Sequence, residues 1–407
     1  MLLLKLALVN ISRNPRRSII TVLAVGVGLA ALIFLWGFGD GTNEQMRENV
    51  IKLLTGHIQI HATGFQNSLS PELTIVEKNN LLQNLSQTPF IKAVTERVKC
   101  EALVGTTEHS RGIILTGIDP ERETTVTRIN EFVKQGEFLG NKDDRSILIG
   151  SRLAEKIHVA LGDKVVVMTQ AIDGTLAGYA YHIKGIFHTG SQTLDELSAF
   201  VTLAGARDLL GIEEETHEIA LRLNDRKSIP KVIIELKKTI PSDQNEILAW
   251  NDIVPETEQW VEWSEAIIRT ILIAVMVVIG VSIMNTVLMS VFERTRELGV
   301  MLAIGTSPGQ ILRLILLETF ILELFGMILG LAAGFAVTTY FGNVGISFHE
   351  LEAAFSRSYM STMTYTRVEW HHVVESIITL FLLTSFIGLY PAWKASRMEP
   401  VKAIYHS

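Results

Sequence analysis

Cysteine is almost missing from this chain: Cys100 is the single one among 407 residues. No intrachain disulfide can form, and a thiol in mid-segment is no lipid-anchor cysteine; it reads as a small, half-buried apolar residue. The dipeptide Gly-Lys is absent altogether. Without it there is no GxxxxGK[ST] loop to cradle a nucleotide phosphate, so any ATP used with this chain is expected to be hydrolysed by a separate subunit. A basic excess is missing too. Lys and Arg number 36 against 43 Asp and Glu, a formal net charge of −7. The long segment between the first two apolar runs is net acidic, which argues against nucleic acid as a partner. There is no internal repeat and no low-complexity linker.

Apolar residues are what the chain has in excess, 48 % of the total. The excess is concentrated in four runs. Ser18–Gly39 and Thr270–Phe292 carry no charge; Leu314–Tyr340 is interrupted only by Glu318 and Glu323; Ser376–Trp393 is uncharged and shortest. A bilayer core needs about 20 apolar helical residues, and soluble core helices seldom run this long without a charge. The expected fold class is therefore membrane α-helical, with four transmembrane helices arranged one plus three around a large extracytoplasmic α+β domain. The first run has a basic flank, as a signal peptide does. It is too long for one, and Trp36-Gly37-Phe38 stands where a small-residue cleavage site would be, so it reads as a retained helix.

Lys5, Arg13, Arg16 and Arg17 precede the first run; Arg294, Arg296 and Arg313 lie between the second and third; Lys394, Arg397 and Lys402 follow the fourth. The connection 341–375 has only Arg357 and Arg367. The positive-inside rule then puts both termini and the 293–313 connection in the cytoplasm. The expected organisation is a cytoplasmic N-terminal amphipathic segment at 1–17, spans at 18–39, 270–292, 314–340 and 376–393, an extracytoplasmic domain at 40–269 with stalk helices, a cytoplasmic coupling segment at 293–313, an extracytoplasmic loop at 341–375 and a cytoplasmic tail at 394–407. Trp36, Trp260, Trp263 and Trp370 fall at the outer boundaries and Trp393 at an inner one, as interfacial rings do.

Within 40–269, Gly41–Leu54 has Met46, Val50, Leu53 and Leu54 at helical spacing, and Val261–Ile268 is read the same way; both prolong their spans as stalks. Strands are expected at His57–His61, Ile113–Ile118, Ser146–Ile149, Lys164–Thr169 and Phe200–Leu203. Helices are expected at Ser151–Val159, Ala204–Leu210 and Ile229–Thr239. Gly162-Asp163 and Asp173-Gly174 mark turns.

Four patterns invite a chemistry that their context opposes. His57 and His61 on a strand are about 13 Å apart at about 3.3 Å per residue, too far for one metal; His182 and His188 meet the same objection, and His371-His372 reads as an interfacial polar pair. Gly305-Thr306-Ser307-Pro308-Gly309 matches the GxSxG nucleophile pattern, which needs a strand before it and a helix after it. Here it lies between two membrane helices, where Ser307 caps the next one. No catalytic, cofactor or metal residue is assigned.

Intramembrane carboxylates are costly and face protein or water. Glu318 lies near the inner boundary close to Arg313, within reach of the headgroups. Glu323 is roughly 14 Å deep at 1.5 Å per residue, and is expected to face a cavity or partner helix, or to be hydrogen-bonded within the bundle. Gly326, Gly330 and Gly334 recur at every fourth position, a face for close helix packing that Gly26 and Gly37 can serve on the first span. The 293–313 connection is the strongest local signal. Glu293-Arg294-Thr295-Arg296-Glu297-Leu298-Gly299 continues the second span, and the apolar Val300–Gly305 follows. An amphipathic helix exposed there needs either an apolar groove on a partner or the membrane surface.

These residues resemble the FtsX-like/MacB-like family of ABC transporter permeases. The resemblance is carried by Glu293, Arg294, Thr295, Arg296, Glu297, Leu298 and Gly299 with Ala303, Ile304 and Gly305, by the tail Pro391–Pro400, by the basic stretch Asn10–Arg17, and by the arrangement of spans. Leu54–His61, Ile147–Thr169 and Ile183–Gly211 look most like the lipoprotein-releasing, LolC/LolE-like branch. The resemblance implies a bacterial inner-membrane protein that is itself no enzyme. It also implies a complex with two copies of a cytoplasmic ABC ATPase subunit and a second permease, identical or paralogous. ATP and Mg would sit on the ATPase and none on this chain. Residues 293–305 would be the ATPase-coupling segment. The implied work is the release of lipoproteins or lipids towards a periplasmic carrier, MacB-like efflux, or FtsX-like signalling to an outside hydrolase.

Overall fold

The computed structural model describes residues 2–75, 78–86, 88–240, 244–348 and 363–398. Residues 349–362, which include Arg357, and Glu399, Pro400 and Lys402 lie outside them. The chain divides into a helical unit drawn from 1–43, 261–347 and 363–407, and a globular unit drawn from 44–260 and 348–362.

The helical unit holds the N-terminal helix Leu2–Arg13 and the apolar parts of four helices long and apolar enough to cross a membrane. These are Pro15–Val50, continued by a π turn Ile51–Thr55, then Pro255–Glu293, Pro308–Val344 and Trp370–Ser396. Each outruns its apolar stretch, because a helix satisfies its own backbone in water as well as in lipid, whereas hydropathy changes at the interface. Proline marks three of the starts: Pro15, Pro255 and Pro308 take the first helical position, where a missing N–H costs nothing.

The first and third spans meet through glycine. A Cβ added at Gly330 would lie 2.7 Å from the Gly26 carbonyl oxygen and 2.8 Å from Leu29 Cβ; one at Gly326 would lie 2.6 Å from Val25 Cβ. At Gly334 it would meet Ala30 Cα at 3.0 Å. The backbones thus approach more closely than side chains permit, which is the reason for the fourfold spacing. A core of Val25, Leu29, Ile33, Ile279, Ile283, Ile311, Ile315 and Leu380 joins all four helices.

The globular unit is α+β. Its sheet contains β1 (Ile58–Ala62), β2 (Ile91–Gly105), β3 (Ser110–Ile118), β4 (Val133–Gly136), β5 (Ser146–Gly150), β6 (Lys164–Gln170), β7 (Leu176–Phe187), β8 (Ser198–Thr202), β9 (Glu218–Leu223) and β10 (Asn245–Ala249). The order is β10-β1-β9-β2-β3-β8-β5-β7-β4, with β6 bridging β2 and β7. The β3–β8 and β5–β7 pairs are parallel, the others antiparallel. Helices Ser151–Lys156 and Leu203–Leu210 cover one core with Val98, Val104, Ile149, Val167 and Tyr181. Helix Ile229–Thr239 covers a second with Ile58, Ile60, Ile219 and Trp250.

Several boundaries differ from expectation for local reasons. β8 ends at Thr202, because the Thr202 hydroxyl caps the following helix by accepting from Gly205 N–H at 3.1 Å. Helix Ser151–Lys156 stops before Val159, since His158 adopts φ 54°. The fourth helix begins at Trp370, so His371 and His372 are helical; His372 Nδ1 lies 2.8 Å from Asp40 Oδ2 and stacks on Trp36 at 3.7 Å. Trp36 is therefore buried in the bundle. β2 and β7, of 15 and 12 residues, were not expected from the sequence.

Candidate functional site

The second span ends at Glu293 because Arg294 leaves the helical region, with φ −109° and ψ 12°. Helix Thr295–Ala303 restarts at once, and its first internal bond runs from Leu298 N–H to the Arg294 carbonyl at 2.9 Å. Gly305 stops it: φ is 103°, a value that favours glycine, and the Gly305 and Thr306 amides close onto Leu302 and Met301 carbonyls at 3.1 and 3.0 Å. Ser307 is the N-cap of the third span, and its amide donates to Gln310 Oε1 at 2.9 Å. The GxSxG pattern is thus a helix stop followed by a helix start.

This short helix has two faces. Leu298 and Gly299 are buried, and Met301 and Leu302 pack against the bundle core. Arg296, Val300, Ala303, Ile304 and Gly305 face outward, Ile304 with 78 % of its surface exposed. Ile304 and Val300 form an exposed apolar pair on a polar connection, open to a partner groove or to the membrane surface.

Charges brace the helix from behind. Arg294 Nη1 reaches both Glu318 oxygens, at 3.1 and 3.0 Å, and its Nε reaches Glu297 at 3.2 Å. Glu318 also accepts from Asn10 Nδ2 at 2.6 Å. Arg17 pairs with Glu293 at 2.7 Å and Arg13 with Glu297 at 3.1 Å. Glu318 therefore serves Arg294 and the N-terminal helix; it does not turn to Arg313 or the headgroups as its position had indicated. The Arg294–Glu318 pair is largely shielded from solvent and matters most, while the exposed Arg13–Glu297 pair contributes little. The sequence showed the basic stretch before the first span but not its pairing, because the partners are hundreds of positions away.

Glu323 is buried in the bundle. Its Oε1 is hydrogen-bonded to Thr384 Oγ1 of the fourth span, and Thr384 also reaches the Leu380 carbonyl at 2.9 Å. This is the intrabundle bond among the alternatives read from sequence.

In the globular unit the histidines have local partners. His57 Nδ1 accepts from Leu223 N–H at 3.0 Å, and His61 Nε2 lies 2.9 Å from Gln59 Oε1. Burial pushes both imidazoles down to about 4, so both are neutral at pH 7. His188 Nδ1 lies 2.9 Å from both Ser151 Oγ and Asp195 Oδ2. A nucleophile–base–acid relay needs the two ring nitrogens to serve different partners, so this is no triad. Burial pushes the Cys100 thiol up to about 11, which makes it unreactive. A cluster that the sequence concealed is Arg97, Lys99, Glu123 and Glu218. Burial opposes the Glu218 charge, but Lys99 and Arg97 outweigh it and hold the carboxyl at about 2.

The MacB-like periplasmic core domain family matches residues 18–239, and the FtsX-like permease C-terminal family matches residues 269–400. The chain belongs to the FtsX-like/MacB-like family of ABC transporter permeases. It is similar to the lipoprotein-releasing system transmembrane protein LolC of Neisseria meningitidis serogroup B, 25 % identical over 96 % of this chain and 95 % of that protein. It is also similar to the macrolide export ATP-binding/permease protein MacB of Shewanella sp. strain ANA-3, 24 % identical over 98 % of this chain. The match spans about 60 % of that protein's length. The solved periplasmic region of MacB from Actinobacillus actinomycetemcomitans aligns with 52 % of this chain and 97 % of its own at 15 % identity, with a TM-score of 0.35. A permease of this family is an inner-membrane component of an ABC transporter and works with an ATPase.

Proposed function

We propose that this permease converts ATP hydrolysis on a separate cytoplasmic ABC ATPase into motion of its globular domain, and that the work released is the detachment of lipoproteins or lipids from the inner membrane. The helix Thr295–Ala303 carries the reading. It presents Val300, Ala303 and Ile304 outward while Leu298 and the Arg294–Glu318 pair hold it to the bundle. A knob so braced transmits force, where a free loop would yield. The N-terminal basic residues and Arg294, Arg296 and Arg313 support a cytoplasmic position for it. The likeness to LolC over 95 % of that protein's length supports lipoprotein release. The intact assembly has two ATPase copies and a second permease, with a periplasmic carrier receiving the cargo. ATP and Mg belong to the ATPase.

The test is reconstitution in nanodiscs with a cytoplasmic ABC ATPase subunit from the same organism. Glu297→Ala and Gly299→Leu should lower permease-stimulated ATP hydrolysis severalfold while the subunits still co-purify. Unchanged stimulation by both variants would refute the coupling role. Photo-crosslinking from the globular domain decides the work: capture of acylated proteins supports release, and capture of a cell-wall hydrolase contradicts it.

A further inference from the structure

The first membrane helix does not stop at Val50. It passes into the π turn Ile51–Thr55, and Gly56 at φ 67° turns the chain into β1. The last carbonyls of a helix lack intrahelical donors and carry partial negative charge. Here four of the five carbonyls of the π turn are met. Gly56 N–H donates to the Ile51 carbonyl at 3.0 Å and Arg128 N–H to Lys52 at 2.7 Å. Arg97 Nη1 donates to Leu54 at 2.8 Å, and Gln59 Nε2 to Thr55 at 2.9 Å.

Arg97 stands on β2 and is only 3 % exposed. Its Nε and Nη2 donate to the two Glu123 oxygens at 3.0 and 2.7 Å, and its Nη1 also donates to Glu218 Oε1 at 2.5 Å. Lys99 Nζ takes the other Glu218 oxygen. Two cations face two anions, so the cluster is neutral and needs no bound ion. A buried charge network of this kind is no better for stability than well-packed apolar side chains. What it supplies is fixed geometry, provided that its members are satisfied. A cavity of 290 Å³ lined by Leu54, Gln59, Arg97, Lys99 and Glu123 adjoins it. Close packing therefore does not hold the helix end on that side, and hydrogen bonds must.

We propose that Arg97 is a positioning residue that makes the terminal π turn of the first membrane helix one rigid body with strands β1, β2 and β9, so that displacement of the helix end reaches the sheet without slack. The proposal rests on the reading of this chain as an ATP-driven permease, but its first test does not. Amide hydrogen exchange is measured on the full chain in nanodiscs, alone and with its ATPase, in the absence and presence of ATP and vanadate. R97M/E123Q removes one charge of each sign and leaves the Lys99–Glu218 pair balanced. Exchange over 51–56 should rise about tenfold to a hundredfold, the worth of a lost charged hydrogen bond. Amides of β3 and β8 should stay within twofold. In the complex, ATP hydrolysis should stay within twofold while the ATP-dependent exchange difference over β1, β2 and β9 disappears.

Unchanged protection over 51–56 overturns the clamp. Raised exchange there with the ATP-dependent difference intact overturns the transmission role. If the double variant also opens β3 and β8, R97K is used, which keeps the buried charge balance; raised exchange confined to 51–56 is again required. A wild-type chain that shows no ATP-dependent difference contradicts the permease reading and leaves the clamp standing on the first measurement.

Discussion

Ile304 offers the sharpest separation between a docking residue and a structural one. Alanine at 304 removes roughly three carbon groups, each worth about 0.8 kcal/mol when taken fully out of water. With 78 % of the residue exposed in the free chain, docking forfeits about 2 kcal/mol, or roughly 25-fold in affinity. The free permease should hardly notice, because a substitution at so exposed a position stays within about 0.5 kcal/mol. Leu298→Ala on the opposite face reverses this. Leu298 is 2 % exposed, so its truncation should destabilise the bundle by about 2–5 kcal/mol. The assay pairs ATPase binding to nanodisc-held permease, by surface immobilisation, with thermal unfolding of the permease alone. I304A should weaken binding with an unchanged melting temperature, and L298A should lower the melting temperature. Equal ATPase affinity of I304A and wild type would refute the argument, and would mean that the knob faces lipid.

Three further outcomes follow from the same geometry. His57 and His61 titrate at about 4 folded against an ordinary 6.5, so the unfolded chain binds more protons between those values and stability must fall as pH drops through that window. Each contributes up to roughly 3 kcal/mol, and thermal unfolding of the globular unit from pH 7 to 4 should show a decline that H61F makes shallower. Glu218, held at about 2 against an ordinary 4.5, keeps its ionic contribution above about 4.5 and loses it progressively as pH falls from there towards 2. Gly330→Val forces a Cβ against the Gly26 carbonyl and should cost about 1–3 kcal/mol in bundle stability. Gly309→Ala, where a Cβ meets nothing within 4 Å, should be neutral in the same melt. Cys100 is 2 % exposed with its thiol raised, so maleimide should label it only after denaturation. A cysteine placed at exposed Glu155 should label natively in spheroplasts, and protection of it there would reverse the orientation argued from the arginines.

Legibility followed the range of the interaction. The helices announce themselves because hydropathy over a run is a local property; among the strands β6 alternates buried with exposed residues, whereas β1, β5 and β8 are buried along nearly their whole length and read as short runs between turn residues. β2 escaped notice although Val98, Cys100, Ala102 and Val104 alternate with Arg97, Lys99 and Glu101: its charged face reads as solvated, yet Arg97 is buried. A buried charge looks like a surface residue until its partners are found, and these are Glu123 and Glu218 on other elements. The same holds at the connection between the second and third spans. The motif 293–305 could be seen, but not that Arg13, Arg17 and Asn10 brace it.

The sequence alone determined that the chain crosses a membrane through helices, where glycine lets them touch, and where the turns fall. Those outcomes depend on solvation and backbone sterics, which act within a few residues. Only the tertiary structure decided which carboxylate answers which cation, that Trp36 is buried beside His372, and that the π turn after Val50 is tied to the sheet by Arg97. Desolvated charges choose partners by proximity in space, and no local pattern encodes that choice.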